Sequence, residues 1–379
     1  MAAAQYAGVT LIKRLYLYRG LIFARPWRRS RPGPPGSALS VMMVVSGGLG
    51  DLIVIGRFLR DLAATVEPFT FDVFTAMPHL ARWVYADIPG FRDAYPDVMQ
   101  DVNGTSYDIR LFLSQLAIVQ HESVQWWQLK KAKRFLEVVL KMEKMRRQEL
   151  EPYVQYHPRM DNGLARLAVY RGRSRRDFLH YTAGLEFGGN RLDIEADDTI
   201  IERLGLSSAP YITVHNGFDT NFVVSTHRAT KCYPHFSDVI AHIKQKRPEL
   251  IIVQLGTVTS DHISTVDLNL IGKTNLKEVA GLLKKSILHL DNEGGLVHLS
   301  ASLGGRSLVV FGPTPSDYFG YPENINVDPI NCGGCWCIDE LWMNRCMRGE
   351  TQPVCVFDQP PGRVADMALK VLARLLKSH

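Results

Sequence analysis

The chain has 379 residues, 46% of them apolar and 22% charged, values that exclude extensive disorder. At about 150 residues per domain, this length predicts two hydrophobic cores. The net charge of +6 is concentrated in one stretch: residues 1–36 hold seven basic residues and no acidic one, so removing their +7 leaves −1 for the rest. A near-neutral body excludes nucleic acid as the expected partner, because neutralising phosphates needs a basic face on the fold itself.

In the leader, Lys13, Arg14, Arg19, Arg25, Arg28, Arg29 and Arg31 alternate with Leu11, Ile12, Leu15, Leu21, Ile22, Phe23 and Trp27. No apolar run reaches the roughly 20 residues that span a bilayer. The charges interrupt the apolar stretch instead of preceding it, which is not the pattern of a signal peptide. Two readings stand: a basic amphipathic segment (11–31) lying on an anionic inner leaflet, or a plain extension ended by the linker RPGPPGS.

After the linker, VMMVVS (41–46) reads as a buried strand, GGLGD as a glycine turn, and 52–64 as a helix. This is the opening of a Rossmann-like unit. FDVFTAM and YDIRLFLS are further predicted strands around the helical HLARWVYADI. Residues 125–151 read as one long charged helix whose basic residues form a solvated face, with nucleic-acid contact and membrane or acceptor docking as the alternatives. A second series starts at YITVH. It continues with a helix over 236–246, strands ELIIVQLG and VDLNLIG, helix LKEVAGLLKKS, strand ILHL, helix GGLVHLSASLG and strand SLVVFGPT. Short apolar strands alternating with three-turn helices predict an α/β fold with parallel sheets. The expected domains are an extension over 1–38, an N-terminal Rossmann-like domain over 39–205, and a C-terminal one over 206–379.

Three segments could carry chemistry. In SGGLGD, Gly47, Gly48 and Gly50 permit a tight turn and close approach of a substrate, and Asp51 falls at a helix N-terminus. There it serves as an N-terminal cap, as a general base, or as both. The segment is not the GxGxxG fingerprint, which disfavours a dinucleotide dehydrogenase. In DNEGGLVHLS, Gly294 and Gly295 open a helix whose free amides suit a pyrophosphate. Glu293 is placed to hold a hydroxyl or orient the sugar, and His298 lies one turn inside the helix, as ligand contact or as buried structural donor. In THRATKCYP, Lys231 reaches a phosphate or stays a solvated surface lysine, and Gly256 ends a strand where a nucleoside would lie.

Five of the six cysteines fall in residues 332–355. Clustered thiols without a secretory signal suggest a metal more than disulfides. The expected ligands are Cys332, Cys335, Cys346 and Cys355, with Cys337 as the spare, around a structural iron or zinc. Packed free thiols are the alternative. No open ligand position accompanies them, so a structural clip is expected, not a catalytic metal.

GGLGD-LIVIGRFLRDL resembles the opening motif of glycosyltransferase family 9, the ADP-heptose:lipopolysaccharide heptosyltransferases. TKCYP resembles that family's Lys-x-Trp-Pro segment, and the stretch from LNLIGKTN to VVFGPT is similar to its C-terminal core. The resemblance implies a GT-B fold with two facing Rossmann-like domains. It also implies inverting, metal-independent transfer from an ADP-activated sugar to a glycan hydroxyl such as that of lipopolysaccharide core. On this resemblance Asp51 is the base, Lys231 a phosphate contact, and Glu293, Gly295 and His298 the nucleotide-binding turn. Departures are Glu293 for Asp, Gly294 for Ser or Thr, and Tyr233 for Trp. It further implies a cytoplasmic enzyme with ADP-heptose as donor. Rival readings are a GT-B transferase using another nucleotide sugar or a protein acceptor, and a non-catalytic nucleotide- or metal-binding module.

Overall fold

The computed structural model describes residues 39–103, 106–156, 162–217 and 229–377. The leader, including residues 11–31, lies outside the described residues.

The chain forms two compact α/β units. The first holds the described residues up to Glu151 together with Leu179–Gly188; the second holds Pro152–Phe178 and everything from Gly189 onward. The chain crosses between the units near 151, 178 and 188. The return segment is fixed by side chains. Asp61 Oδ2 lies 2.9 Å from His180 Nε2 and accepts from the Gly188 amide at 2.8 Å.

In unit 1, strands β1 (Leu39–Val45), β2 (Phe69–Thr75), β3 (Phe91–Pro96), β4 (Ile109–Leu113) and β5 (Ala117–Val119) form one sheet in the order β3-β2-β1-β4-β5. All neighbours are parallel except the β4–β5 edge pair. β1 is buried almost throughout, as a continuous apolar run in a parallel sheet requires. Helix α1 (Leu49–Thr65) follows β1 and buries Leu52, Ile55, Phe58, Leu59 and Leu62, a helical-period stripe. Helix α2 (Pro78–Tyr85) follows β2.

The predicted single helix over 125–151 is a correction. The chain forms a short turn of helix at Trp126–Leu129, starts again as α3 (Lys133–Met145), and widens into a π-helical stretch at Arg146–Leu150. The reason for the restart is long-range. The Glu67 carboxylate accepts from the backbone amides of Arg134 (3.0 and 3.1 Å) and Phe135 (3.1 Å), satisfying donors that a continuous helix would have turned inward.

Unit 2 carries β6 (Tyr211–Val214), β7 (Ile251–Gln254), β8 (Leu268–Asn269), β9 (His289–Asn292), β10 (Ser307–Val310) and β11 (Ile325–Val327) in the order β11-β10-β9-β6-β7-β8, all parallel. Between them run α4 (Phe236–Lys246), α5 (Leu276–Lys285) and α6 (Gly295–Ser302), and α7 (Pro361–Leu375) follows the last strand. Ile212, Val214, Ile252, Leu290 and Leu308 bury against Val239, Ile240 and Ile243 of α4 and Val364, Ala368 and Leu372 of α7. Each large aliphatic side chain so buried contributes about 1.5–3 kcal/mol. Helix α5 begins in a capping box: Asn275 Oδ1 accepts from Lys277 and Glu278 amides, and Glu278 Oε2 accepts from the Asn275 amide at 2.8 Å. The sequence reading ended the sheet at SLVVFGPT, whereas β11 and α7 extend the unit beyond it. No helix among the described residues is long and apolar enough to cross a membrane.

Candidate active site

Open α/β sheets bind ligands at the carboxyl ends of their strands, where the strand order reverses. In unit 1 that point lies between β1 and β4, because the chain runs outward through β2 and β3 and then returns to the other side of β1. Asp51, the third residue of α1, sits there. Its Oδ2 accepts from the Gly48 amide at 3.2 Å, and its Oδ1 accepts from Gln115 Nε2 at 3.3 Å. Gln115 comes from the loop after β4, so the two strand ends meet through this carboxylate. Gly47 makes the arrangement feasible. Its φ is +125°, and a Cβ there would stand 2.3 Å from Asp51 Oδ2. Asp51 is thus a cap oriented at the switch point, and cap and base are compatible roles for it.

In unit 2 the switch point lies between β6 and β9. The turn after β9 presents Glu293, then Gly294 with extended backbone, then Gly295 as the first residue of α6. Lys231 Nζ stands 3.8 Å from Glu293 Oε2, and His298 Nε2 stands 3.6 Å from Glu293 Oε1. The structure therefore brings Lys231, Glu293 and His298 together. Burial alone would raise the Glu293 carboxyl, but the Lys231 ammonium and His298 outweigh it and hold it below the usual carboxylate range. His298 Nδ1 is 2.6 Å from the Tyr321 hydroxyl, which fixes the ring from its other side. Gly256, with φ +156°, follows β7 in the loop beside Ser260. Arranged this way, a buried anion, a cation and the free amides opening an eight-residue helix can grip a phosphate ester.

Sequence reasoning missed His215 and Asp291. β6 and β9 pair in register with Thr213 opposite His289, so His215 falls beside Asp291, and His215 Nδ1 lies 2.9 Å from Asp291 Oδ1. The available signal was a polar residue just past β6 and an acidic one within β9. Gln115 gave none, since its role depends on where β4 packs.

Cys332, Cys335, Cys346 and Cys355 all line one small cavity of about 20 Å³, which Cys337 does not. Burial, followed by the neighbouring thiols, pushes Cys335 up to about 11 and Cys355 to about 12; Cys337 is raised by burial alone. Four thiols are thus gathered. Among the described residues, however, no three Cys, His, Asp or Glu side chains stand in metal-ligating geometry.

Two parallel-sheet units, each opening a glycine turn at its switch point, make this a GT-B protein. Residues 202–342 match the sequence model of glycosyltransferase family 9 (heptosyltransferase). The chain is accordingly a glycosyltransferase carrying a family 9 domain. Among solved structures it is similar to the E. coli ADP-heptose lipopolysaccharide heptosyltransferase II, with 16% identity and a TM-score of 0.54 over 89% of this chain and 99% of that one. It is similar to a family 9 glycosyltransferase from Veillonella parvula, with 15% identity and a TM-score of 0.56 over 89% and 98%. It is also similar to the iron-containing heptosyltransferase TibC of enterotoxigenic E. coli, solved with ADP-D-β-D-heptose, with 15% identity and a TM-score of 0.57 over 89% and 77%. These likenesses establish the fold. No curated protein sequence matches the chain.

Proposed function

We propose that the chain transfers a heptose, or a closely similar sugar, from an ADP-activated donor to a hydroxyl of a bacterial surface glycan such as lipopolysaccharide core, with inversion at the anomeric carbon. The observation that carries this reading is the meeting of Lys231 with buried Glu293 at the glycine-opened start of α6. Two of the similar structures are described as heptosyltransferases for ADP-heptose or bound to it, which favours this donor. In the reaction the acceptor oxygen attacks the anomeric carbon and its proton passes to the Asp51 carboxylate. The bond from that carbon to the diphosphate breaks, and its electron pair leaves with the nucleoside diphosphate. Lys231 and the amides of Gly294 and Gly295 stabilise the charge that develops there. No step calls for a metal.

The test is a thermal-shift screen of ADP, UDP, GDP and CMP, followed by transfer assays with ADP-heptose. ADP should raise the melting temperature most, because a ligand that binds only the native state stabilises it. A larger shift with UDP or GDP would remove the heptose assignment, and unaltered melting with all four would remove the nucleotide-sugar reading.

We further infer that Cys332, Cys335, Cys346 and Cys355 hold a structural iron or zinc, closing on the ion as tetrathiolate ligands. Their shared cavity and the iron-containing TibC support this. The basic and apolar composition of residues 11–31 supports a cytoplasmic enzyme resting on an anionic membrane surface.

A further inference from the structure

Beneath the turn that carries Glu293 runs a buried line of polar groups. Thr213 Oγ1 lies 3.0 Å from His289 Nδ1, His289 Nε2 lies 3.2 Å from Asp291 Oδ2, and Asp291 reaches His215 Nδ1 at 2.9 and 3.0 Å. Asp291 is fully buried. Burial would raise its carboxyl, yet His215 and His289 outweigh it and keep the carboxyl low. A carboxylate only accepts, so the His215 ring must donate through Nδ1.

That leaves Nε2. It stands over the end of β6 beside Gly217: a Cβ on Gly217 would come within 2.7 Å of both His215 Nε2 and Ser260 Oγ. The Gly217 carbonyl accepts from Asn292 Nδ2 at 3.0 Å, which ties this edge of the ring to the residue preceding Glu293. The His215 side chain is 14% exposed. The groups around it are Asp291 and His289 from β9, Ser260 and Asp261 from the loop after β7, and Lys231 and Cys232 from the segment before α4. Asp261 packs through its amide on the Asn216 carbonyl at 3.3 Å, and Lys231, Asp261 and Asp291 all act on the Cys232 thiol.

We propose that His215 is a diphosphate-binding residue that works as an imidazolium, with Asp291 on Nδ1 and a phosphate oxygen of the donor on Nε2. The argument is one of donors and acceptors. Carboxylate and phosphate oxygens both only accept, so a ring held between them must carry a proton on each nitrogen. The buried Asp291 charge stabilises that doubly protonated ring while the diphosphate is bound. This inference rests on the donor-site reading above and adds a residue to that site.

The experiment is calorimetric titration of the full chain at about pH 8, where ADP itself is fully ionised. Wild type and His215→Gln are titrated with ADP and with adenosine, and the nitrogen NMR shifts of the His215 ring are read in the wild-type ADP complex. Wild type should bind ADP more tightly than adenosine, with both ring nitrogens protonated in the complex. His215→Gln should bind adenosine as wild type does and bind ADP about tenfold more weakly. A neutral His215 ring in the ADP complex overturns the imidazolium and leaves the donor site standing. Unchanged ADP affinity in His215→Gln overturns the role of this residue. If wild type binds ADP no better than adenosine, the donor-site reading fails and this proposal fails with it. The ring shifts need no substitution, so the proposal stays testable even if the variant is unstable.

Discussion

Gln115 Nε2 donates to Asp51 Oδ1 at 3.3 Å, joining the loop after β4 to the helix that follows β1. One carboxylate oxygen is thus committed to the neighbouring strand end and the other to the Gly48 amide. A base held on both sides is oriented before a substrate arrives.

Replacing that carboxylate separates capping from catalysis. Asp51→Asn keeps an oxygen able to accept from the Gly48 amide, so the helix start should survive. Sugar transfer should fall by roughly 10²–10⁴-fold, the usual worth of a general base. ADP affinity, read by calorimetry, should stay within about twofold of wild type. Full turnover by the variant would take the base assignment away.

Gly47→Ala tests the turn itself. The added methyl would meet Asp51 Oδ2 at 2.3 Å, on a backbone with φ +125° that side chains rarely adopt. A loss of about 1–3 kcal/mol in urea unfolding is expected, together with a drop in kcat, because the carboxylate must move.

Lys231 and Glu293 should prove coupled. Lys231→Ala leaves a buried carboxylate without its cation and should cost roughly 3 kcal/mol along with ADP binding. Adding Glu293→Gln should recover part of the stability but none of the binding. A double-mutant cycle reads both, and additive stabilities would show that the two side chains do not interact.

The Asp61 anchor makes a pH prediction. Burial would raise its carboxyl, but hydrogen bonds from His180, Arg60 and the Gly188 amide bring it down from 3.8 to about 2. A carboxyl lowered on folding stabilises above its unfolded value and loses that contribution as pH falls toward its folded one. Asp61→Asn should therefore cost about 1–2 kcal/mol at neutral pH, after allowance for solvent screening. Its deficit should shrink between about pH 4 and pH 2 in urea melts. A constant deficit would exclude this linkage.

For the thiols, elemental analysis of anaerobically purified protein should find about one iron or zinc per chain. Cys335→Ser and Cys355→Ser should lose it, and Cys337→Ser should keep it. Buried thiols held up to about 11 and 12 are protonated when free, so loading must displace protons and should weaken on acidification. Metal-free wild type would end the proposal.

The local grammar of this chain was legible in its residues. Val41–Val45 and Ile251–Val253 are apolar runs that suit a strand buried on both faces, and Gly47 marks a turn because few other residues tolerate its close approach to Asp51. These features depend on neighbours in sequence. The third dimension settled what depends on neighbours in space. Glu67 broke the predicted long helix by capping it from 67 residues away. The β6–β9 register put His215 beside Asp291, and folding gathered four of the five clustered thiols around one cavity while leaving Cys337 outside it. Sheet order and side-chain meeting points arise from packing whole elements against one another. A sequence read residue by residue holds that information only in the sum of its long-range contacts.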